Sequence, residues 1–420
     1  VKNMRIDLAP TLARAAASVV LASSLCFGNM GQPEFLQLPA AIASQPLTDE
    51  QKLAAEAWRV TDREFVDREF AGQDWFSVRQ KMVKRKYDAR DLAYEEIRTM
   101  LASLGDRYTR FLTPAAYDAV FATATGGVVG IGVELQSEPV QDGMPQTRVL
   151  VNNVIPGGPA DKAGVKPGDE IVNADGEDTS LLSAEEASKY VRGAAGSKLR
   201  LTVRSAGEAE PRVLLIERAE VKLAGVTRSS TSVDGTPAGV VSIRQFSTST
   251  ADDVKAALTD VLAKKPAVLV LDLRGNTGGY FTGGVDVARL LLPKGSPITY
   301  VTDNRRNVVT YETYTDGLDV TTPLYVLVDS RTASASEILA SALQDNGRAK
   351  LIGCSGPRTF GKAVIQTVSP LSDGSGIVVT TARYQTPKRT DINKQGIEVD
   401  TEEECPLSID AVKCLPAKLS

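Results

Sequence analysis

Two residues of this chain have the side-chain types of a hydrolytic pair, Ser334 and Lys362. The 420 residues include no histidine, so a serine nucleophile activated by an imidazole is excluded. A lysine amine can accept the same proton if it is neutral, and serine–lysine pairs are a known variant of this arrangement. Residues 360–361 and 363–365 are apolar or small, which favours burial of Lys362 and a lowered pKa of its amine. The sequence thus supplies a nucleophile and a candidate general base.

Ser334 lies where a strand is expected to meet a helix. An apolar run at residues 324–328 predicts a buried strand, and residues 334–344 have the apolar spacing of a helix. A helix N-terminus presents free N–H groups, which could hold a developing oxyanion. A glycine-rich loop, residues 274–279, follows another apolar run at 267–273 and could bring a second N–H donor to the same place.

Each segment also has a simpler interpretation. Ser334 or Ser336 could be a helix cap, and on that segment alone this common role is favoured. The side chain of Lys362 could extend to solvent. The glycine loop could be a tight turn, and it lacks the GK[ST] and GxGxxG patterns of nucleotide-binding loops. The occurrence of all three motifs in one chain favours catalysis.

Two carboxylates lie on the same predicted helix as Ser334. Glu337 follows the serine by about one helical turn, and Asp345 by about three. Asp345 cannot face Ser334 from that distance, so we expect it to hold a neighbouring loop in place. Direct chemistry by either carboxylate is the weaker hypothesis, because structural carboxylates are common.

Composition excludes several classes of partner. The net charge is −4 and the charged residues are dispersed, so neither nucleic acid nor an anionic membrane surface is expected as a partner. Cys26, Cys354, Cys405 and Cys414 show no zinc-type spacing, and with no histidine available we expect neither a metal nor another cofactor. Cys405 and Cys414 could pair in an oxidising compartment, and unpaired thiols are an equally open interpretation.

Residues 1–43 have the pattern of an export signal. Basic residues precede a small-residue apolar run at 15–27, which is too short to span a bilayer comfortably, and residues 41–43 form a small-x-small cleavage pattern. A buried helix is the less favoured alternative. We expect removal of this segment and no stable membrane insertion of the mature protein. The chain begins with Val1, which leaves open that it is a fragment.

The composition and the predicted secondary structure of the remaining chain change twice. Residues 44–125 are rich in helix formers and begin with a capping pattern at residues 48–51. Residues 126–217 are β-branched and glycine-rich, with strands expected at 128–135, 149–154, 198–204 and 213–217. From residue 218 to 420, apolar strands alternate with helices expected at 251–262, 284–292 and 334–344, which indicates an α/β layer. We therefore predict three domains with these boundaries.

The three motifs, in this order, resemble those of the carboxyl-terminal processing peptidases, also called tail-specific proteases. They comprise residues 274–279, 332–337 and 359–362, and the similarity extends over roughly residues 104–400. The resemblance implies that Ser334 is the nucleophile and that Lys362 is the general base.

The same resemblance assigns the surrounding groups. Backbone N–H groups of Ala335 and of Gly279, or Gly278 in its place, would form the oxyanion hole. Asp345 and Glu337 occupy positions where the family has supporting acidic residues. The chain departs from the family pattern at Ala363, where glycine is usual, and at residues 354–358, where the connection is about three residues longer.

The middle segment, residues 126–217, resembles a PDZ domain inserted before the core. Gly130, Ile131, Gly132 and Val133 would form its carboxylate-binding loop and strand edge, which capture a protein C-terminus by strand addition. The fold class implied is a multidomain α/β protein, with an N-terminal helical domain, a PDZ-like β-rich domain and an α/β Ser-Lys protease core.

Residues 105–112 and 390–397 resemble the photosynthetic branch of the family. That branch trims the C-terminal extension of the photosystem II reaction-centre precursor in the thylakoid lumen. We therefore expect a monomeric endopeptidase that acts on proteins with a free C-terminus, located in the thylakoid lumen of the chloroplast or in a similar exported compartment such as the periplasm. The alternative is a PDZ-type scaffold that binds C-termini without cleaving them.

Overall fold

The computed structural model describes residues 46–124, 127–139, 147–155, 157–179, 182–205, 207–208, 210–222, 225–233 and 235–415. The predicted export segment, residues 1–43, and the predicted domain boundary at residues 125–126 lie outside these ranges. The described residues from Leu47 onward form one compact unit. Within the described ranges, no helix combines the length and the apolar character needed to cross a bilayer.

The N-terminal part is helical, as predicted. Its helices are α1 (Asp49–Glu64), α2 (Trp75–Lys84) and α3 (Arg90–Ala102), with a 3₁₀ turn at Phe70–Gly72. The predicted cap is present, because Thr48 and Gln51 exchange hydrogen bonds between side chain and backbone at the start of α1. The apolar faces of these helices share one hydrophobic cluster with Leu371, Ile377 and Val379 from the far end of the chain. The helices therefore pack on each other and on the α/β part around one shared core.

A short strand joins the two ends of the chain. Strand β1 (Arg110–Leu112) ends the polar link after α3 and is followed by α4 (Pro114–Ala124). It pairs antiparallel with a strand that begins at Gly376, with Leu112 opposite Gly376. The sequence indicated only a structured link here, since three residues are too few to show a strand pattern.

The middle segment is β-rich. Its elements are β2 (Gly127–Gly130), β3 (Val133–Pro139), β4 (Thr147–Val154), α5 (Pro159–Lys162), β5 (Glu170–Ala174), β6 (Glu177–Asp178), α6 (Ala184–Val191), β7 (Lys198–Arg204), β8 (Arg212–Glu217) and β9 (Ala219–Lys222). The main sheet has the order β3-β4-β5-β7-β8, with β6 on β5, and β2 pairs with β9 outside it. The single strand predicted at 128–135 is wrong: the chain breaks between β2 and β3, where Ile131 is buried and Gly132 has φ +79°.

The α/β part contains two sheets. Its elements are β10 (Val226–Val233), β11 (Thr236–Ile243), α7 (Thr250–Leu262), β12 (Val268–Asp272), α8 (Phe281–Arg289), β13 (Pro297–Asp303), β14 (Val308–Glu312), β15 (Leu324–Val328), α9 (Ala335–Asp345), β16 (Ala349–Gly353), β17 (Val364–Pro370), β18 (Gly376–Gln385) and β19 (Thr401–Glu402), with a 3₁₀ turn at Ala411–Cys414. One sheet has the order β10-β11-β12-β15-β16-β19 and is parallel from β11 onward. The other has the order β1-β18-β13-β14, with β17 on β18.

The central strands of the parallel sheet are buried on both faces. All residues of β12 and β15 are buried, as their continuous apolar runs predict. One face packs against α7, α8 and α9 in the largest hydrophobic cluster. The opposite face packs against the C-terminal residues Ala411, Val412, Cys414 and Leu415. The C-terminal tail therefore takes the place that a layer of helices occupies in many parallel sheets.

The tail is closed by a disulfide between Cys405 and Cys414, which decides the question that the sequence left open. Cys354 is a buried free thiol close to both sulfur atoms, and burial raises its pKa to about 12. The Nη1 atom of Arg274 donates to the carbonyl oxygens of Cys405, Pro406 and Ile409. The disulfide-closed loop thus contacts the first residue of the glycine-rich loop.

Reducing this disulfide should lower the free energy of unfolding by about 2–3 kcal/mol, the entropic value expected for a closed loop of about ten residues. Urea unfolding of the oxidised and the reduced protein would measure the loss. The double variant Cys405→Ser/Cys414→Ser is the control, because it lacks the bond and should not respond to reductant. The same unfolding midpoint for the wild type with and without reductant would contradict a stabilising disulfide.

Candidate active site

Ser334 lies at the strand-to-helix corner that the sequence predicts. Strand β15 ends at Val328, and Ser334 is the N-cap residue of α9. Its φ of 58° and ψ of −118° fall in a region that residues with a side chain rarely adopt. Backbone strain of this kind occurs where a fold holds one side chain in a required direction, and here that side chain is the candidate nucleophile.

The turn before Ser334 is fixed by hydrogen bonds to the glycine-rich loop. Asp329 accepts from the N–H groups of Thr332 and Gly275 at 3.0 and 2.8 Å. The hydroxyl of Thr332 lies 3.0 Å from the carbonyl oxygen of Leu273. These contacts join the two segments that the sequence analysis selected independently.

Asn276 joins the same two segments at closer range. Its backbone oxygen accepts from Ala333 N at 3.0 Å and from the hydroxyl of Ser336 at 3.1 Å. Its side chain donates to the carbonyl of Ile243 and accepts from Gly278 N at 2.9 Å. Asn276 is fully buried, so all of these contacts are shielded from water. Its role was not inferred from the sequence, although it lies within the glycine motif.

The two glycines of the loop have different roles. A Cβ on Gly278 would lie 2.8 Å from Ser334 Cβ and 3.1 Å from Ala335 N, so glycine is required for this approach. The N–H of Gly278 donates to Asn276, which favours Gly279 over Gly278 as the second oxyanion donor. Gly279 lies opposite Phe246 in a parallel bridge whose hydrogen bonds use Gly278 O and Tyr280 N.

Two N–H groups remain for an oxyanion. Within the part of the chain that the structure describes, neither Gly279 N nor Ala335 N donates to a protein acceptor. Ala335 N lies at the first turn of α9, where the helix dipole adds partial positive charge. Two preorganised donors beside a serine are the arrangement that stabilises the tetrahedral intermediate of acyl transfer.

A buried carboxylate holds Ser334 and Lys362 together. Glu337 Oε2 accepts from Ser334 N at 2.8 Å and from Lys362 N at 2.9 Å. Glu337 Oε1 accepts from the hydroxyl of Thr359 at 2.6 Å and from Gly361 N at 2.7 Å. Glu337 has no exposed surface. It is therefore a positioning residue for the pair.

Tyr384 on β18 makes a second connection between the same two residues. Its hydroxyl oxygen lies 2.8 Å from Lys362 O and 3.1 Å from Ser334 O. Burial raises the pKa of this hydroxyl well above its usual value, with Glu337 and Tyr108 nearby. Tyr384 was not selected from the sequence, because a tyrosine in an apolar strand has the pattern of an ordinary core residue.

The environment of Lys362 favours its neutral form. Burial is the main cause that lowers the pKa of the amine. The positive charges of Arg110 and Arg107 lower this pKa further, while Asp106 and Glu337 oppose them. A neutral amine can accept the proton of the serine hydroxyl, as a general base requires.

Asp345 lies away from these contacts, at the far end of α9. It accepts from Lys388 N at 3.0 Å, and the ammonium of Lys388 lies 3.7 Å from its other oxygen. These are the contacts of a carboxylate that holds a neighbouring loop, which is the role expected from its spacing.

The two departures from the family pattern do not disrupt the hydrogen bonds of residues 359–362, the segment that carries Lys362. Residues 354–358 follow β16, and Val399 N donates to Pro357 O. Ala363 is buried, and its carbonyl oxygen accepts from Tyr384 N at 3.1 Å. After the longer connection, Thr359, Gly361 and Lys362 each donate a hydrogen bond to Glu337.

The predicted carboxylate loop of the PDZ-like segment needs one correction. Gly130 pairs with Ala219 in the two-stranded sheet of β2 and β9, so it does not belong to the same strand as Val133. Val133 begins β3, which is an edge strand of its sheet. Between them, the N–H groups of Ile131 and Gly132 have no backbone acceptor within the described ranges. Free donors therefore lie at the start of an edge strand, as carboxylate capture needs.

The sequence was compared with known families and proteins. Residues 237–403 match peptidase family S41, and residues 150–205 match a PDZ domain. The chloroplastic C-terminal processing peptidase of Tetradesmus obliquus is 39% identical over 388 residues, which are 89% of this chain and 82% of that protein. The carboxyl-terminal-processing protease of Synechocystis sp. is 38% identical over 395 residues, which are 93% of this chain and 87% of that protein.

A solved structure gives the same result. The photosystem II D1 C-terminal processing protease shares 39% sequence identity with this chain and a TM-score of 0.57, and the match covers 85% of this chain and 94% of that one. The chain belongs to peptidase family S41, among the C-terminal processing peptidases. It is a serine-type peptidase that acts on protein substrates, and the predictions of family, fold class and enzyme class are confirmed.

Replacing Glu337 with Gln should lower kcat by about 100-fold. The amide nitrogen of Gln is a donor, so it would face backbone N–H donors such as those of Ser334 and Lys362, and at least one charge-assisted hydrogen bond would be lost. Steady-state kinetics on one peptide would measure the change, and KM should change little. Asp345→Asn is the matched control on the same helix and should leave kcat within about twofold, since a partly exposed ion pair contributes little. Equal losses in the two folded variants would contradict the positioning role of Glu337.

Proposed function

We propose that this peptidase removes the C-terminal extension of the photosystem II reaction-centre precursor. The similarity to the photosystem II D1 C-terminal processing protease, at 39% identity over most of both chains, carries the proposal. Residues 105–112 and 390–397, which resemble the photosynthetic branch, support the proposal because both contact the segment that carries the candidate base. Tyr108 contacts Lys362, and Lys394 N donates to Gly361 O at 2.8 Å.

Ser334 and Lys362 carry out the cleavage in this proposal. The Oγ of Ser334 attacks the scissile carbonyl, and the neutral amine of Lys362 accepts the hydroxyl proton. The N–H groups of Ala335 and Gly279 stabilise the oxyanion. The ammonium of Lys362 then protonates the leaving amine, and water hydrolyses the acyl-enzyme by the same steps. No group in this scheme has to come from a second copy, and we propose a monomeric enzyme.

The proposed location is the thylakoid lumen of the chloroplast. The curated relatives named above include a chloroplastic and a cyanobacterial protein. The disulfide between Cys405 and Cys414 supports an oxidising compartment on the far side of a membrane. An export segment at residues 1–43 would bring the chain there.

The wild type should convert the full-length precursor to its mature length, and Ser334→Ala and Lys362→Ala should each abolish conversion while remaining folded, because nucleophile and base act as a unit. Gel electrophoresis and mass spectrometry of the product would measure the cleavage. The control is the same substrate protein made without the C-terminal extension, which should remain intact. Cleavage of an unrelated unstructured C-terminus at the same kcat/KM would contradict the proposed substrate.

We propose further that residues 126–217 form the domain that selects the substrate tail, between a helical domain at 44–125 and a core at 218–420. The free N–H groups of Ile131 and Gly132 and the edge strand β3 support this role. Helix α6 lies beside the edge strand, since Ala184 N donates to the hydroxyl of Ser137 at 2.7 Å. A tail can add to β3 with its carboxylate at the glycine loop.

Amidating the C-terminus of a peptide substrate should raise KM by about 10-fold or more with a smaller change in kcat, because the loop loses a charged acceptor worth about 1.5–3 kcal/mol. Kinetics on the free-acid and amide forms of one peptide would measure the difference. Gly132→Val is a useful variant, since a side chain is strained at its positive φ, and it should reduce the preference for the free acid. Equal kcat/KM for both forms on the wild type would rule out carboxylate capture.

A further inference from the structure

An aromatic ring from the N-terminal part of the chain lies against the candidate base. The Nζ atom of Lys362 is 4.8 Å from the ring centroid of Tyr108. The guanidinium of Arg107 lies 4.8 Å from the same ring and 5.3 Å from the ring of Phe360. It also donates to the hydroxyl of Tyr108 at 2.6 Å. Arg107 therefore contacts two rings, and Phe360 is only two residues before the lysine.

The segment that carries Tyr108 is fixed to β18. Asp106 Oδ2 accepts from the hydroxyls of Thr109 and Thr380, each at 2.6 Å. Thr380 N in turn donates to the hydroxyl of Thr109 at 3.1 Å. Thr380 lies on the same strand as Tyr384, which contacts the backbones of the nucleophile and the base. Tyr108 thus approaches Lys362 from a segment that is held in place.

A ring face suits a lysine that must titrate. It attracts an ammonium through its quadrupole, yet it offers no acceptor that competes with a substrate or a hydroxyl for the amine. A carboxylate in the same place would hold the lysine as a salt-bridged ammonium and raise its pKa. The ring can therefore hold the ammonium in position without fixing it in a salt bridge.

We propose that Tyr108 is a positioning residue for the amine of Lys362, and that Arg107 holds the ring of Tyr108 by stacking between it and Phe360. This inference rests on the proposed role of Lys362 as general base. It gives a catalytic purpose to a segment that the sequence marked only as a feature of one branch of the family.

The charges around Lys362 give the two residues opposite effects on its pKa. The groups around the amine are Tyr108, the cations Arg107 and Arg110, and the carboxylates Asp106 and Glu337, while the hydroxyl of Tyr384 contacts the backbone oxygen of the same lysine. The ring of Tyr108 stabilises the ammonium, so its loss lowers the pKa of Lys362. The charge of Arg107 disfavours the ammonium, so its loss raises this pKa.

These signs can be measured in the dependence of kcat/KM on pH. Only the neutral amine accepts the serine proton, so activity rises as pH passes the pKa of Lys362. Tyr108→Leu keeps an apolar side chain but removes the ring face. It should lower kcat about 10-fold through a displaced amine and lower the apparent pKa by about one pH unit. Tyr108→Phe keeps the ring and should restore the wild-type pKa, with an intermediate kcat because the bond from Arg107 is lost.

Arg107→Met should move the apparent pKa upward instead, because methionine can still pack between the two rings while the positive charge is lost. Because Arg107 is exposed, this upward change should shrink in about 1 M salt, whereas the change in Tyr108→Leu should persist. Tyr300→Leu is the matched control. It removes a comparable stack, with Arg389 at 3.9 Å, and lies opposite Gln385 of β18, where strand alternation places it on the other face of the sheet from Tyr384, so it should leave the pH profile unchanged.

The outcomes separate the two proposals. An active Lys362→Ala would overturn the role of the lysine and this inference with it. An inactive Lys362→Ala combined with a wild-type kcat and pH profile in Tyr108→Leu would overturn only the role of the ring. Changes of the same sign in Tyr108→Leu and Arg107→Met, without rescue by Tyr108→Phe, would also overturn it, since they would indicate loosened structure.

Discussion

The carboxylate of Glu337 lies between the nucleophile corner and the lysine segment, out of contact with water. It accepts hydrogen bonds from four donors, which is the full capacity of its two oxygens. A buried carboxylate without partners costs several kcal/mol, so a displacement of either segment would leave part of that cost uncompensated. The geometry of Ser334 and Lys362 is therefore coupled to the stability of the core. The strained backbone of Ser334 persists under the same constraint, since its N–H is one of the four donors.

Most of the fold could be predicted from local patterns. The continuous apolar runs of β12 and β15 indicate a buried parallel sheet, because only strands covered on both faces can be apolar throughout. The apolar run before Ser334 and the helical spacing after it placed the nucleophile at a strand-to-helix corner, where the structure has it. The start of α8 could not be placed correctly. The sequence predicted a helix over residues 284–292, whereas α8 spans Phe281–Arg289. Gly284 lies inside this helix and permits a close contact with α9, since a Cβ there would lie 2.5 Å from Ala335 O.

The contacts that complete the site join residues distant in the sequence, and local patterns carry no signal for them. Tyr384 contacts Ser334 across 50 positions, and Asp106 contacts Thr380 across 274. A tyrosine or an aspartate has no spacing that predicts such a partner. The sequence also gave no sign of which glycine N–H is already used in a hydrogen bond. Gly278 and Gly279 are indistinguishable in a glycine motif, and only the side chain of Asn276 decides which N–H remains free.

The pairing of β1 with β18 bears on how this protein could be divided. The family match begins at residue 237, which suggests a catalytic part that could be moved between proteins as a unit. A fragment that starts there would lose β1, and β18 would then present unpaired N–H and C=O groups along an open edge, a template for aggregation. It would also expose Leu371, Ile377 and Val379, which the N-terminal helices cover. The helices and the catalytic sheet can therefore be inherited or exchanged only together, and chain length in this architecture has a lower limit that the chemistry alone does not set.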